Sequence, residues 1–173
     1  MRDSADQDAL YSAAAAEHGP ALQRLAAAME ANPERRRDLL QDMHAALWRS
    51  FGSYDGRCSV RTWVYRVGHN VAASHVARER RVHRGAVTLD EIEHLPDTQN
   101  IGAEHEASET VARLHKLIRR LKAEDQQLIA LYLEELDAAS IAEITGLSPG
   151  AVATRISRLK THLARLFKET ENV

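Results

Sequence analysis

The sequence is short of cysteine, of aromatic residues and of long apolar runs, and each shortage narrows what the chain can be. A single cysteine, Cys58, cannot close an internal disulfide, which agrees with a reducing compartment. No apolar run approaches the ~18 residues of a membrane span. Asp3, Asp6 and Asp8 stand where a secretory signal would carry positive charge before an apolar stretch. A cytoplasmic protein without membrane insertion is expected. No alternation of polar and apolar residues marks a strand. The nine histidines (18, 44, 69, 75, 83, 94, 105, 115, 162) include no His-x3-His pair, no Glu-xx-His coupled to a second such motif, and no Cys-xx-Cys accompanies them. Nucleophile elbows and phosphate-binding glycine loops are missing too. No metal, no cofactor and no catalytic residue are therefore expected, and the chain does not read as an enzyme.

What is present suffices for a folded protein. Of 173 residues, 44% are hydrophobic and 28% charged, which supports a buried core and excludes wholesale disorder. That length fits one domain or two small ones. Charge decides between them. The net charge is only −2, yet residues 56–84 hold seven arginines (57, 61, 66, 78, 80, 81, 84) against Glu79, a net of +6. Residues 85–112 hold seven acids and no Lys or Arg, a net of −7. This acidic stretch contains Gly85, Pro96, Asn100 and Gly102 with little apolar periodicity, so it reads as a linker. Two all-α domains are expected, residues 8–84 and 109–169, joined by an acidic flexible linker over 85–108. Folded back, that linker would compete with DNA for the basic block, since non-specific binding depends on unpaired Lys and Arg.

In the first unit, Leu10, Leu22, Leu25 and Met29 predict two helical stretches broken at Gly19-Pro20. Leu39, Leu40, Met43, Leu47, Trp48 and Phe51 define one face of a helix over 34–51, with Asp38, Gln41, Asp42 and Arg49 opposite. Residues 52–56 are turn formers, and from Ser59 onward Val60, Trp63, Val64, Val67, Val71 and Val76 repeat at helical spacing. Five of the eight aromatics (Trp48, Phe51, Tyr54, Trp63, Tyr65) fall directly before and inside the basic block. Arginines that hold phosphates beside aromatic faces that stack on unpaired bases suit opened nucleic acid; the same pattern also fits core aromatics beneath a solvated basic face.

In the second unit, Leu114, Leu117, Ile118 and Leu121 make one amphipathic helix. Leu128, Ile129, Tyr132, Leu133 and Leu136 make another. Ala138–Thr145 is a short helix, Gly146-Leu147-Ser148 a turn, and Pro149 starts a longer helix capped by Ser148. Val152, Ile156, Leu159, Leu163 and Leu166 give that helix an apolar face, while Thr154, Arg155, Arg158, Thr161, His162 and Arg165 give it a polar one. This is a helix-turn-helix, whose second helix enters the major groove; a plain helical bundle with a basic face is the alternative.

Both halves resemble the bacterial sigma-70 family, specifically the short extracytoplasmic-function (ECF) sigma factors that keep two of its domains. Asp38-Leu39-Leu40-Gln41-Asp42-Met43 and Ala46-Leu47-Trp48 resemble the family's grip on the clamp of core RNA polymerase. The run from Ser53 to Asn70 (SYDGRCSVRTWVYRVGHN) resembles its promoter-melting and minus-ten segment, and that from Ser140 to Arg158 (SIAEITGLSPGAVATRISR) its minus-thirty-five reader. The resemblance implies a sigma factor that binds core polymerase and directs promoter recognition, DNA melting and initiation. It also implies that core contacts come from Asp38, Leu39, Gln41, Asp42 and Trp48. Minus-ten contacts would come from Tyr54, Arg57, Arg61, Trp63, Tyr65, Arg66 and Asn70, with a base pocket over 53–59 flanked by Tyr54 and Asn70. Minus-thirty-five contacts would come from Ser148, Gly150, Thr154, Arg155, Arg158 and Lys160. Core polymerase, promoter DNA as duplex and melted strand, and an anti-sigma factor are the implied partners. Departures from the family pattern are Arg36-Arg37 for Ala-Glu, His44 for an aromatic or aliphatic residue, Gly68-His69 for Ala-Arg, and Ala153 for Lys or Arg. A stand-alone helix-turn-helix regulator is the competing reading; it leaves the first 84 residues without a role.

Overall fold

A computed structural model describes residues 4–85 and 104–171, all built around seven α-helices with no strand among the described residues. Helix α1 spans Ser4–Met29, α2 Pro33–Phe51 and α3 Val60–Gly85. Asn32 starts α2: its Oδ1 accepts from the amides of Glu34 at 2.9 Å and Arg35 at 3.0 Å, and Pro33 occupies the first turn, where its missing N–H leaves nothing unpaired. The apolar stripe of α2 is buried as its spacing requires, with Leu39, Met43, Leu47 and Phe51 no more than 1% exposed. Each such side chain contributes about 1.5–3 kcal/mol by leaving water.

Helix α1 is continuous and holds Pro20 in its interior, where the sequence predicts a break. An interior proline removes one helical hydrogen bond at a cost of ~3 kcal/mol. Burial offsets it. Leu22, Leu25, Ala26 and Met29 pack into one cluster with α2 and α3, while Ala21 and Ala28 on another face enter the second cluster, so α1 is covered on two sides. Its approach to α3 is close: a Cβ on Gly68 would lie 2.7 Å from Leu22 Cδ2.

A buried polar knot joins the ends of these helices. Glu30 Oε2 lies 2.9 Å from His75 Nε2 and 3.4 Å from Arg35 Nε, and Glu30 Oε1 accepts from the Asn32 amide at 2.8 Å. Burial pushes the Glu30 carboxyl up, but these partners together hold it below its ordinary value.

The second group comprises α4 (Glu104–Arg119), α5 (Ala123–Leu133), α6 (Ala138–Thr145) and α7 (Pro149–Glu171). Ile118, Leu128, Ile129, Leu131, Ile141 and Val152 form its driest core. Gln126 ties α5 to the end of α4 by donating to the carbonyls of Arg119 and Leu121 at 2.8 and 3.1 Å. Helix α5 stops at Leu133, three residues before the Leu136 that its periodicity includes. Glu135 turns the chain with φ +60°, and Leu136 caps the core from the turn. The predicted linker over 85–108 falls mainly on residues outside the described ones; its first residue, Gly85, closes α3, and its last five, 104–108, begin α4. The two groups touch: α4 packs on α1, and α5 and α6 on α3.

Candidate nucleic-acid interface

The helix-turn-helix is built from local signals. Asp137 Oδ1 accepts from the Ser140 amide at 2.7 Å and caps α6; that bond holds its carboxyl below the usual range. Gly146 ends α6 at φ +76°, a left-handed conformation glycine adopts without strain. Ser148 Oγ then accepts from the Ala151 amide at 3.2 Å and starts α7. Val152, Ile156, Leu159 and Leu163 are buried, so the opposite face of α7 must meet solvent. Gly150, Thr154, Arg158 and Lys160 are exposed there, and nothing stands within 4 Å of where a Gly150 Cβ would be. Lys160 Nζ also sits 5.1 Å from the centre of the Tyr132 ring. Arg155 is different, being half-buried and donating to Asp125 Oδ1 at 2.7 Å.

On α2, Asp38, Gln41, Asp42 and Trp48 are exposed on one side of the helix. Trp48 is 40% exposed and anchored at its edge, where Nε1 donates to Asp8 Oδ1 at 2.7 Å. Leu39, expected among the contact residues, is 1% exposed. Its spacing with Met43 and Leu47 places it in the core beneath that exposed side.

The aromatic residues of the minus-ten segment are less open than expected. Tyr54 is 9% exposed; its hydroxyl donates to the Cys58 carbonyl at 2.6 Å, and its ring packs edge-on against Phe51 and at 5.2 Å from Trp63. Its faces are spent on folding the loop. Trp63 is half-buried, with Nε1 donating to Ser50 Oγ at 2.9 Å. Asn70 is exposed and lines a cleft between α2 and α3 with Asp42, Arg49, Ser74 and Arg78. Arg57 projects from the loop, its side chain 89% exposed and paired with Asp55 at 2.8 Å. Burial keeps the Cys58 thiol above its usual value, hence protonated at neutral pH.

The remaining minus-ten candidates all meet the second helical group. Arg61 Nη2 donates to the Glu134 carbonyl at 2.8 Å, Tyr65 Oη to Glu134 Oε2 at 3.2 Å, and Arg66 Nη2 to Glu143 Oε1 at 2.9 Å. Arg24 joins them, donating through Nε and Nη2 to the two Glu134 oxygens at 2.7 and 2.6 Å. Bonding to Glu134 raises the Arg24 pKa; burial, followed by Glu134, raises that of the Tyr65 hydroxyl, which stays a donor. Nothing in the sequence singles out Arg24, an isolated cation in an alanine-rich helix.

Among the described residues, no group of three or more His, Cys, Asp or Glu side chains could hold a metal, and no helix is long and apolar enough to cross a membrane. Residues 14–82 match Sigma-70 region 2, and residues 112–163 match Sigma-70 region 4. The RNA polymerase sigma factor YlaC of Bacillus subtilis is 29% identical over 135 residues, covering 76% of this chain and 77% of the relative. The ECF RNA polymerase sigma factor SigM of Mycobacterium tuberculosis is 26% identical over 151 residues, covering 87% of this chain and 73% of the relative. The fold matches that of CnrH, solved in complex with the cytosolic domain of CnrY, at a TM-score of 0.65 and 22% identity over 92% of this chain and 88% of that one. Two matches from one family, in the family's order and together spanning most of the helices described above, settle the assignment: the chain belongs to the sigma-70 family as an ECF-type RNA polymerase sigma factor, a protein that directs promoter recognition.

Proposed function

We propose that the work of initiation is divided between the two helical groups. The first, over about 8–84, meets core polymerase through the exposed α2 face of Asp38, Gln41, Asp42 and Trp48. It meets the melted minus-ten strand through the α3 residues Arg61, Arg66 and Asn70 with Arg57 from the loop. The second, over about 109–169, lays α7 in the major groove of the minus-thirty-five element, with Thr154, Arg158 and Lys160 reaching bases and phosphates. Tyr54 shapes the loop that carries Arg57; it does not stack on a base.

The observation that carries this reading is the α6–turn–α7 unit, capped at both ends of its turn and exposing a polar, cationic face on a fully packed helix. Sigma factors are in general DNA-binding initiation factors without chemistry of their own, and this chain is proposed to work in that way, in the cytoplasm beside the polymerase. CnrH is described in complex with the cytosolic domain of CnrY. By that likeness an anti-sigma protein is proposed as a partner here.

Transcription in vitro with core polymerase and a promoter library tests the proposal. Specific run-off transcripts that depend on the added factor are expected. Their loss in a double substitution Arg158→Ala/Lys160→Ala, with polymerase binding retained, would place minus-thirty-five contact on α7; full activity of that variant would remove it.

A further inference from the structure

Helices α2 and α3 run antiparallel, as the bonds from Trp63 to Ser50 near one end and from Arg35 to Glu79 near the other require. Between them lies an open cleft of about 340 Å³, lined by Asp42 and Arg49 from α2 and by Asn70, Ser74, His75 and Arg78 from α3. Asn70, Ser74 and Arg78 stand four residues apart, so they form one row along α3, ~12 Å from first to last at about 1.5 Å per residue. The floor is low, because Ala46 and Val71 carry short side chains there. Arg49 lies toward the Asn70 end of the row, and Arg78 closes the other. Both arginines are exposed, and the Arg49 side chain has no hydrogen bond or ion pair to any described residue.

Arg78 is aimed from inside the fold. Its Nη2 lies 3.4 Å from His75 Nδ1, and His75 Nε2 lies 2.9 Å from Glu30 Oε2. His75 and Glu30 are each 6% exposed, so neither is turned to water. The direction of this chain follows from what each group has to offer. An ionised carboxylate only accepts, and a guanidinium only donates. His75 must therefore carry its hydrogen on Nε2 and present the bare Nδ1 lone pair to Arg78. Glu30 is held in turn by the Asn32 amide and by Arg35, which Glu79 steadies. A buried carboxylate thus selects the tautomer of a buried imidazole, and the imidazole selects where an exposed guanidinium points. Apolar residues of the same volume would fill the site with no buried charge to satisfy, so stability does not account for the chain.

We propose that the α2–α3 cleft is a backbone subsite for the melted promoter strand, in which Arg49 and Arg78 hold phosphates of the strand whose base Asn70 reads, and Glu30 and His75 are positioning residues for Arg78. The inference rests on the proposed minus-ten role of Asn70 and extends it to four residues which that reading leaves idle. A strand fits the cleft better than a free anion does. The two cations are spread along it, and Asp42 lines it as well, a carboxylate that repels a lone phosphate but accepts from a base amine. Guanidinium donors match phosphate oxygens whatever the base, so the subsite adds grip without changing which sequence is read.

The test uses the full chain assembled with core polymerase and a labelled bubble template made from a promoter that the library returns, so that strand capture is read apart from melting. Arg49→Ala and Arg78→Ala should each weaken binding about tenfold, equally on templates of altered minus-ten sequence, and lower the salt slope by about one. Asn70→Ala should weaken it in a way that depends on that sequence. His75→Phe keeps a flat ring and loses both bonds. It should weaken binding about fivefold in the parent but less than about twofold once Arg78 is alanine, since nothing is then left to position. Equal losses in both backgrounds would make His75 a packing residue and overturn the relay. Should His75→Phe fail to fold, the nitrogen nuclear magnetic resonance spectrum of the labelled parent decides instead: the ring proton is expected on Nε2, and a proton on Nδ1 overturns the relay. Capture of core polymerase should match the parent in both arginine variants; its loss would give the cleft to polymerase rather than to DNA. Inorganic phosphate at fixed ionic strength should displace the template no better than chloride does, and displacement that Arg78→Ala abolishes would mark a free-anion site and overturn the strand. Asn70→Ala with parent-like binding on every template undoes the minus-ten reading and the subsite with it, whereas a loss there beside parent-like affinity in both arginine variants undoes the subsite alone.

Discussion

His69 should make the protein sensitive to mild acid. It is 1% exposed, neither ring nitrogen has a hydrogen-bond partner among the described residues, and burial drops its pKa from 6.5 to about 3. The imidazole is therefore neutral in the fold, while the unfolded chain takes up a proton as pH falls through 6.5. Stability present above that value is lost on acidification, over the interval from 6.5 down to about 3. At pH ~5.5 the unfolded residue is protonated about ten to one, which costs ~1.4 kcal/mol, against less than ~0.1 kcal/mol at pH ~7.5. His69→Leu removes the titrating group and an unsatisfied buried polar atom pair while keeping most of the volume, so it should be at least as stable as the parent at the higher pH. Other groups titrate too, so the informative quantity is the difference between parent and variant. Urea unfolding followed by circular dichroism at the two pH values should show that difference growing by ~1.4 kcal/mol in favour of the variant on acidification. A difference that stays constant, or a nuclear magnetic resonance titration placing His69 near its ordinary value, would show that burial of this imidazole does not govern the acid response.

Gly68→Ala should destabilise by a net ~1 kcal/mol in thermal or urea unfolding, because its Cβ would lie 2.7 Å from Cδ2 of a Leu22 side chain that is 1% exposed and would have to shift within the core, a cost of ~1–3 kcal/mol that the ~1 kcal/mol gained by alanine over glycine inside a helix offsets only in part. Glu135→Gly should stabilise by about 1 kcal/mol by relieving a left-handed non-glycine residue, read in the same unfolding assay. Asp42→Arg should weaken a pull-down with core polymerase without changing the circular dichroism spectrum, since the side chain is exposed on the face assigned to that contact. Arg158→Ala should weaken holoenzyme binding to a labelled promoter and flatten its salt dependence by about one phosphate contact, measured by anisotropy across a salt series.

The parts of the fold legible in the sequence are those fixed by near neighbours. Ala138–Thr145, the Gly146 turn and the Ser148-Pro149 start of α7 follow from residues within a few positions of one another, and the structure has them where the pattern puts them. The break at Gly19-Pro20 misleads because proline reports a local cost, while the buried Leu22, Leu25, Ala21 and Ala28 that outweigh it get their partners from other helices. Tyr54 and Tyr65 illustrate the same limit at the site. An aromatic beside arginines is compatible with stacking or with core, and the packing of Tyr54 on Phe51 and Trp63 and the bond of Tyr65 to Glu134 are tertiary contacts that the local pattern does not name. The pairing of Arg24 with Glu134 spans 110 residues and has no periodic signature at all.

Helix α1, covered on two sides, also sets an order of events on the ribosome. Its first side can close as soon as α2 and α3 emerge, but Ala21 and Ala28 belong to a cluster completed only when residues up to Leu163 have been made. At ~5–20 residues per second that wait is on the order of ten seconds. Through it the uncovered side of α1 shows methyl groups rather than leucines, and so offers little apolar area for a neighbouring nascent chain to stick to.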